Sequence, residues 1–105
     1  MRQTISFITL GVSDLAASRA FYAALGLTAS SGSQPAIAFF NAGSVVFGLF
    51  QHAALAEDAN VAPDGSGFRG FTLAHNVESE LAVDRLLAEA VAAGGRLVQP
   101  AGKVF

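Results

Sequence analysis

The most constraining feature of this chain is the segment of residues 5–27, ISFITLGVSDLAASRAFYAALGL. Residues 5–12 are rich in apolar and β-branched side chains, which predicts a strand with at least one buried face. Ser13 stands where a helix N-cap belongs, and Asp14 adds negative charge to the first turn. Gly26 can end the helix in the left-handed conformation. The segment therefore predicts a strand, a capped helix and a helix stop in direct succession.

Further strands are predicted after this unit. Residues 28–34 are small and polar and could form a short edge strand. Residues 36–40 and 45–51 are apolar, and the Asn-Ala-Gly-Ser segment between them is a hairpin signal. Residues 53–67 follow no clear period and predict a connection, with one helical turn near its start.

The same order of elements then recurs. Residues 68–75 predict a strand, and Asn76 or Ser79 can cap a second helix that stops at Gly94 and Gly95. Residues 96–99 begin another strand.

The inferred architecture is an α+β fold built from two βαβββ modules. Module one spans about residues 1–52, the connection spans 53–67, and module two spans 68–105. Module two lacks its last two strands, so we expect an exposed sheet edge. Because exposed edges invite pairing, we expect a homodimer, with strand exchange as one route.

Composition excludes several classes of function. Charged residues make up 13% of the chain, against about 25% in a typical globular domain, and the net charge is −2. Without a basic patch, nucleic acid is not expected as a partner. The absence of cysteine excludes disulfides and thiolate metal sites. Apolar stretches are only strand-sized and no signal peptide is visible, so we expect no membrane partner and a cytoplasmic location.

The segment Phe7-Ile8-Thr9-Leu10-Gly11-Val12-Ser13-Asp14-Leu15, continued by Ser18, Phe21-Tyr22 and Leu25-Gly26-Leu27, resembles the opening module of the vicinal oxygen chelate superfamily. That superfamily includes glyoxalase I, bleomycin-resistance proteins, fosfomycin-resistance proteins and extradiol dioxygenases. Residues 70–74 resemble the start of its second module. The resemblance implies paired βαβββ modules that curve around a cleft, often completed across a homodimer.

The resemblance also identifies the positions at which metal-using members carry their ligands. The two histidine positions hold Phe7 and Phe71, and the first carboxylate position falls at Phe47, Gly48 or Leu49. The last glutamate would lie on a final strand that this sequence does not reach. Divalent ions need several nitrogen or oxygen donors, and none of these side chains supplies one. We therefore expect no metal and no other cofactor.

A ligand cleft between the modules is expected instead, lined by Phe7, Phe47, Leu49, Phe71 and His75. Phe7 and Phe71 have a second interpretation as ordinary core residues, since aromatic side chains dominate small cores. His75 could reach the cleft as an acid–base group, or it could be a solvated residue beside the helix cap. Catalytic residues stay unknown.

Three functional hypotheses follow. The leading one is metal-free binding of a small apolar or aromatic molecule, for which the bleomycin-resistance members are the precedent. The second is a metal-dependent lyase or dioxygenase relative, completed by missing C-terminal strands or by a partner chain. The third is a truncated chain with only structural, dimer-forming behaviour.

Overall fold

A computed structural model describes residues 1–102 of the chain. Contacts divide the chain into two units, Met1–Asp64 and Gly65–Phe105. The boundary between them lies inside the connection expected at residues 53–67; the module bounds themselves stay a prediction. The elements are β1 (Phe7–Val12), α1 (Leu15–Ala24), β2 (Ile37–Ala42), β3 (Val45–Gln51), α2 (His52–Asp58) and α3 (Glu80–Ala92). Helices and strands in this order confirm the predicted α+β class.

The first unit is built around a three-stranded sheet with the order β1-β3-β2. Central strand β3 pairs parallel with β1 and antiparallel with β2. Because side chains alternate along each strand, the register sorts the residues onto two faces. The helix face carries Ile8, Leu10, Val12, Ala38, Phe40, Phe47, Leu49 and Gln51, and the open sheet face carries Phe7, Thr9, Gly11, Ile37, Phe39, Asn41, Val46, Gly48 and Phe50.

The predicted hairpin between β2 and β3 is confirmed. Its two-residue loop consists of Gly43 and Ser44, and Gly43 has a φ of +70°. Two-residue hairpin loops need such positive φ values so that the turn matches the strand twist. Glycine adopts them without a steric penalty. The sequence therefore determines the register of the hairpin, and with it the assignment of side chains to faces.

The cap of α1 differs from the sequence prediction. Asp14, not Ser13, is the N-cap, and its carboxylate accepts a hydrogen bond of 3.0 Å from the backbone N–H of Ala17. Gln51 supplies a second cap from the end of β3, since its Oε1 accepts a 2.7 Å bond from the N–H of Leu15. The prediction failed by one residue because the carboxylate takes the capping bond. The predicted stop at Gly26 is confirmed by its φ of +106°.

The core lies between α1 and the helix face. Leu49 and Ala38 are fully buried, and Leu15, Phe40 and Phe47 are nearly so. Tyr22 of α1 packs edge-on against Phe47 with ring centroids 4.8 Å apart, a favourable aromatic geometry. The remaining partly buried members of this cluster are Leu10, Val12 and Leu27.

Residues 28–34 do not form the predicted edge strand and make only two isolated bridges, at Ala29 and Gln34. Backbone bonds to β2 remain at isolated points, such as Ser30 N–H to the carbonyl of Phe39, and a serine hydroxyl bonds to the same residue of β2. Ser33 Oγ donates to the carbonyl of Phe39 and accepts from its N–H. Serine side chains compete in this way with backbone pairing, which explains why the segment turns instead of extending.

The second unit contains α3 as its regular element within residues 65–102. Of the two predicted caps, Ser79 and not Asn76 is the N-cap. Its Oγ accepts a 3.1 Å hydrogen bond from the backbone N–H of Ala82. Gly94 follows the helix with a φ of +112°. The strands predicted at residues 68–75 and 96–99 are not formed. A strand exists only with a hydrogen-bonded neighbour, and these two segments do not pair. Residues 103–105 of the predicted second module lie outside the described residues.

Within residues 1–102, no helix is both long enough and apolar enough to cross a membrane. The outer edge of β1 pairs with no other strand in that same range, since the sheet order places it beside β3 alone. Ile5, two residues before β1, is 58% exposed. A homodimer formed through such an edge stays a prediction.

Replacing Leu49 with alanine is expected to lower the free energy of unfolding by about 2–5 kcal/mol, because it leaves a cavity in the core. Chemical denaturation followed by circular dichroism measures this. Val61→Ala is the matched control, since Val61 is 62% exposed and surface substitutions usually change stability by less than about 0.5 kcal/mol. Equal effects of the two substitutions would contradict the assignment of the core.

Stability is expected to fall at alkaline pH through Tyr22. Burial raises the pKa of the Tyr22 hydroxyl above its ordinary value of 10.0. The unfolded chain loses this proton at a lower pH than the folded chain, so the free energy of unfolding decreases as pH rises through and above that value. Tyr22 is the only tyrosine, so the near-ultraviolet absorbance of tyrosinate reports its titration alone. Tyr22→Phe should remove this component of the alkaline loss; a titration at or below the ordinary pKa would contradict it.

Candidate functional site

The open sheet face is the candidate site of the first unit. Most of its side chains are apolar, and no part of α1 covers it, because α1 packs on the opposite face. Phe7 is 57% exposed, while Thr9, Ile37, Phe39 and Val46 are half-buried. Exposed aromatic side chains next to half-buried ones are typical of a binding surface.

Two phenylalanines and a glycine shape the centre of this face. The rings of Phe7 and Phe39 meet edge-on with centroids 6.0 Å apart and an interplanar angle of 77°. Gly48 lies between Thr9 and Phe39: a Cβ added there would lie 3.1 Å from the Thr9 hydroxyl oxygen and 3.5 Å from the Phe39 ring. The missing side chain therefore lets the hydroxyl and the ring approach each other over the central strand.

Helix α2 bounds one end of the open sheet face. Gly11 lies beneath it: a Cβ at Gly11 would come within 3.1 Å of the Cα and Nδ1 atoms of His52 and 3.4 Å of Leu55. His52 is half-buried, and its Nε2 lies 2.9 Å from the carbonyl oxygen of Pro63. Glycine at position 11 thus permits the close approach of α2 to β1, and the imidazole is placed at the rim of the apolar surface.

Two of the predicted cleft residues are not on this face. Phe47 and Leu49 belong to the buried core beside α1, with 5% and 0% exposure. The alternation of side chains along β3 explains the error, because residues 47 and 49 necessarily lie opposite residue 48. The structure therefore does not bring Phe47 and Leu49 together with Phe7.

The other two predicted cleft residues belong to the second unit. Phe71 is 52% exposed, and His75 is also exposed, in a segment without regular secondary structure. Their membership of a ligand cleft stays a prediction. Phe7 alone among the five predicted residues lies on the open sheet face.

The residues present do not fit a divalent cation at this face. Of the three residues at the carboxylate position of the resembled superfamily, only Gly48 lies on the same face as Phe7. Neither residue has a donor atom in its side chain, and a divalent ion needs several. Throughout residues 1–102, no three histidine, aspartate or glutamate side chains group closely enough to hold a metal ion.

Sequence reasoning did not identify Thr9, Gly11 or His52 as residues of this site. Thr9 and Gly11 could have been assigned to the face of Phe7 by counting every second residue along the predicted strand. No local signal identifies His52, because its position depends on α2 packing back against β1. Gln51, which caps α1 from β3, likewise follows from tertiary structure alone.

Comparisons with known proteins agree with this architecture. The family model described as Glyoxalase/Bleomycin resistance protein/Dioxygenase superfamily matches residues 4–105. A glyoxalase-related enzyme from Fulvimarina pelagi is 38% identical, with a TM-score of 0.83 over 95% of this chain and 71% of that chain. A glyoxalase/bleomycin resistance protein/dioxygenase family enzyme from Burkholderia phytofirmans PsJN is 30% identical, with a TM-score of 0.74 over 85% of this chain and 72% of that one.

A more distant likeness extends to a lactoylglutathione lyase from Agrobacterium tumefaciens, with 22% identity and a TM-score of 0.67 over 94% of this chain and 76% of that one. At this level of identity the likeness concerns the fold alone. No curated protein matches the chain. The family model covers nearly all of the sequence, and the relative from Fulvimarina pelagi supports it independently. The chain belongs to the Glyoxalase/Bleomycin resistance protein/Dioxygenase superfamily.

Proposed function

We propose that this chain binds a small, largely apolar or aromatic molecule on the open sheet face without using a metal ion. The observation that carries the proposal is the pairing of exposed Phe7 with Phe39 at positions where no side chain supplies a metal ligand. Aromatic edges and faces recognise a flat apolar guest through burial and quadrupole contacts. Affinity then comes mainly from removing apolar surface from water, at roughly 25 cal/mol per Å².

The shape of the face supports a flat guest. Gly48 is buried and has no side chain to protrude above the strand, and a Cβ added there would lie 3.5 Å from the Phe39 ring. The Thr9 hydroxyl is the polar group nearest to this centre. Ligand sites commonly combine a mostly apolar lining with a few polar groups that fix orientation, and the face has this composition.

A second candidate is an enzyme of the same superfamily. It is favoured by the relatives from Fulvimarina pelagi and Burkholderia phytofirmans PsJN, which are both named as enzymes and are 38% and 30% identical. On this alternative a metal-dependent lyase or dioxygenase would take its ligands from residues outside 1–102 or from a partner chain. Phe7 and Gly48 count against it, since neither residue supplies a donor atom at a usual ligand position.

Substituting Phe7 with alanine is expected to weaken binding of an aromatic probe about tenfold. The substitution removes one of the two phenylalanine rings that bury apolar surface of the probe, and the Phe39 ring remains. The probe is 1-methylindole, whose fluorescence is free of protein background because the chain has no tryptophan. Phe68→Ala is the matched control: Phe68 is 79% exposed and lies in the second unit. A dissociation constant that changes equally in both variants, or no binding by the wild-type chain, would contradict the proposed function.

Metal titration separates the two candidates. Zinc, nickel and manganese added to the purified chain are expected not to bind stoichiometrically with high affinity, because Phe7 and Gly48 offer no donors. Isothermal titration calorimetry measures binding. The enzyme candidate predicts instead a bound ion and turnover of a hemithioacetal or a catechol that chelators abolish. Observation of that turnover would replace the binding function with the catalytic one.

A further inference from the structure

We propose that the Nδ1 atom of His52 is a hydrogen-bond acceptor for the ligand of the open sheet face. The ligand class is thereby narrowed to aromatic molecules that carry an N–H or O–H donor. This inference rests on the proposed binding function and adds a polar recognition point to it.

The placement follows from Gly11 and α2. His52 is the first residue of α2, and its Nδ1 lies 3.1 Å from the point that a Cβ of Gly11 would occupy. Gly11 is on the open sheet face, two residues after Thr9 and four after Phe7. A Cβ at position 11 would be in tighter than ordinary contact with both the backbone and the ring of His52, so α2 would have to move away by a few tenths of an ångström. The bare backbone therefore creates the space in which the imidazole meets the face.

The tautomer follows from the partner of Nε2. That nitrogen lies 2.9 Å from the carbonyl oxygen of Pro63, and a carbonyl oxygen can only accept. The hydrogen must then be on Nε2, which donates it to Pro63. In a neutral imidazole with Nε2–H, the other ring nitrogen carries a lone pair and can only accept. In the neutral ring, the contact with Pro63 thus makes Nδ1 an acceptor.

The acceptor is both unused and reachable. Nδ1 of His52 has no hydrogen-bond partner within the described residues. No side-chain nitrogen or oxygen in that part of the chain is both buried and without a partner, so Nδ1 must contact solvent. A reachable acceptor at the rim of an apolar surface is satisfied by water in the free protein and can be satisfied by a donor on a ligand.

The spacing fits a small fused aromatic molecule. Strands rise by about 3.3 Å per residue, which puts the Cα atoms of Thr9 and Gly11 about 7 Å apart. This is comparable to the long dimension of a bicyclic ring. A flat ring seated against Phe39, which is in register with Thr9 across β3, can therefore extend along β1 and present its donor to His52 over Gly11.

Indole and 1-methylindole form the matched probe pair, because only indole has an N–H donor. We expect His52→Phe to reduce the preference for indole over 1-methylindole by about three- to tenfold, as for the loss of one hydrogen bond. Comparing this ratio between the wild-type chain and the variant cancels the contribution of the extra methyl group. Asp58→Ala is the control, since it removes an exposed polar side chain at the other end of α2, and it should leave the ratio unchanged.

The wild-type chain provides a second test that needs no variant. Long-range ¹H–¹⁵N spectra should show Nε2–H for His52, and indole, but not 1-methylindole, should shift the Nδ1 resonance. A folded His52→Phe variant with an unchanged ratio, or a His52 ring protonated on Nδ1 alone, would overturn this inference while leaving apolar binding intact. If neither probe binds, the proposed function fails and this inference fails with it.

Discussion

Pairing of β3 on both sides is the constraint on which the rest of the first unit depends. Because β1 and β2 both take their register from this strand, every residue of the sheet is assigned to one of two faces by its parity along β3. Phe47 and Leu49 point to α1 and form the core, while Gly48 between them is on the open sheet face. A slip of one residue would move the whole apolar set to the other face, so burial of the core also determines the composition of the candidate site.

The same strand positions the first helix. Gln51 at the end of β3 accepts from the N–H of Leu15, and its Nε2 donates to the carbonyl of Ser13. Together with the Asp14 cap, these bonds satisfy backbone groups that a helix start would otherwise leave unpaired. Because Leu15 is itself buried in the core, the helix start is held by packing and by hydrogen bonds at once. The site on the other face is therefore built on a rigid support.

Features of the fold that are set by residues close together in the sequence could be predicted. Features that depend on contacts between distant parts of the chain could not. The β1–α1 unit and the β2–β3 hairpin follow from periodicity, from a capping side chain and from glycines at positions of positive φ, and each of these acts within a few residues. The edge strand at residues 28–34 failed because Ser33 bonds to Phe39 through its side chain. The placement of Phe47 and Leu49 failed because the resemblance to a family indicated a region of β3 and not a face of it. His52 could not be assigned a place, since only the packing of α2 on β1 puts it there.

Three successive positions of β1 on the open sheet face give the candidate site one apolar end and one hydrogen-bonding end. Phe7 supplies an exposed aromatic ring, Thr9 a hydroxyl, and Gly11 a bare backbone over which the imidazole of His52 lies. Apolar contact at one end provides affinity that is not directional, so a guest held only there could bind in several orientations. Hydrogen-bonding groups at the other end are directional and distinguish these orientations at little cost in affinity. Under the proposed function, a face that lacks metal donors retains selectivity because the orienting role falls to Thr9 of β1 and His52 of α2.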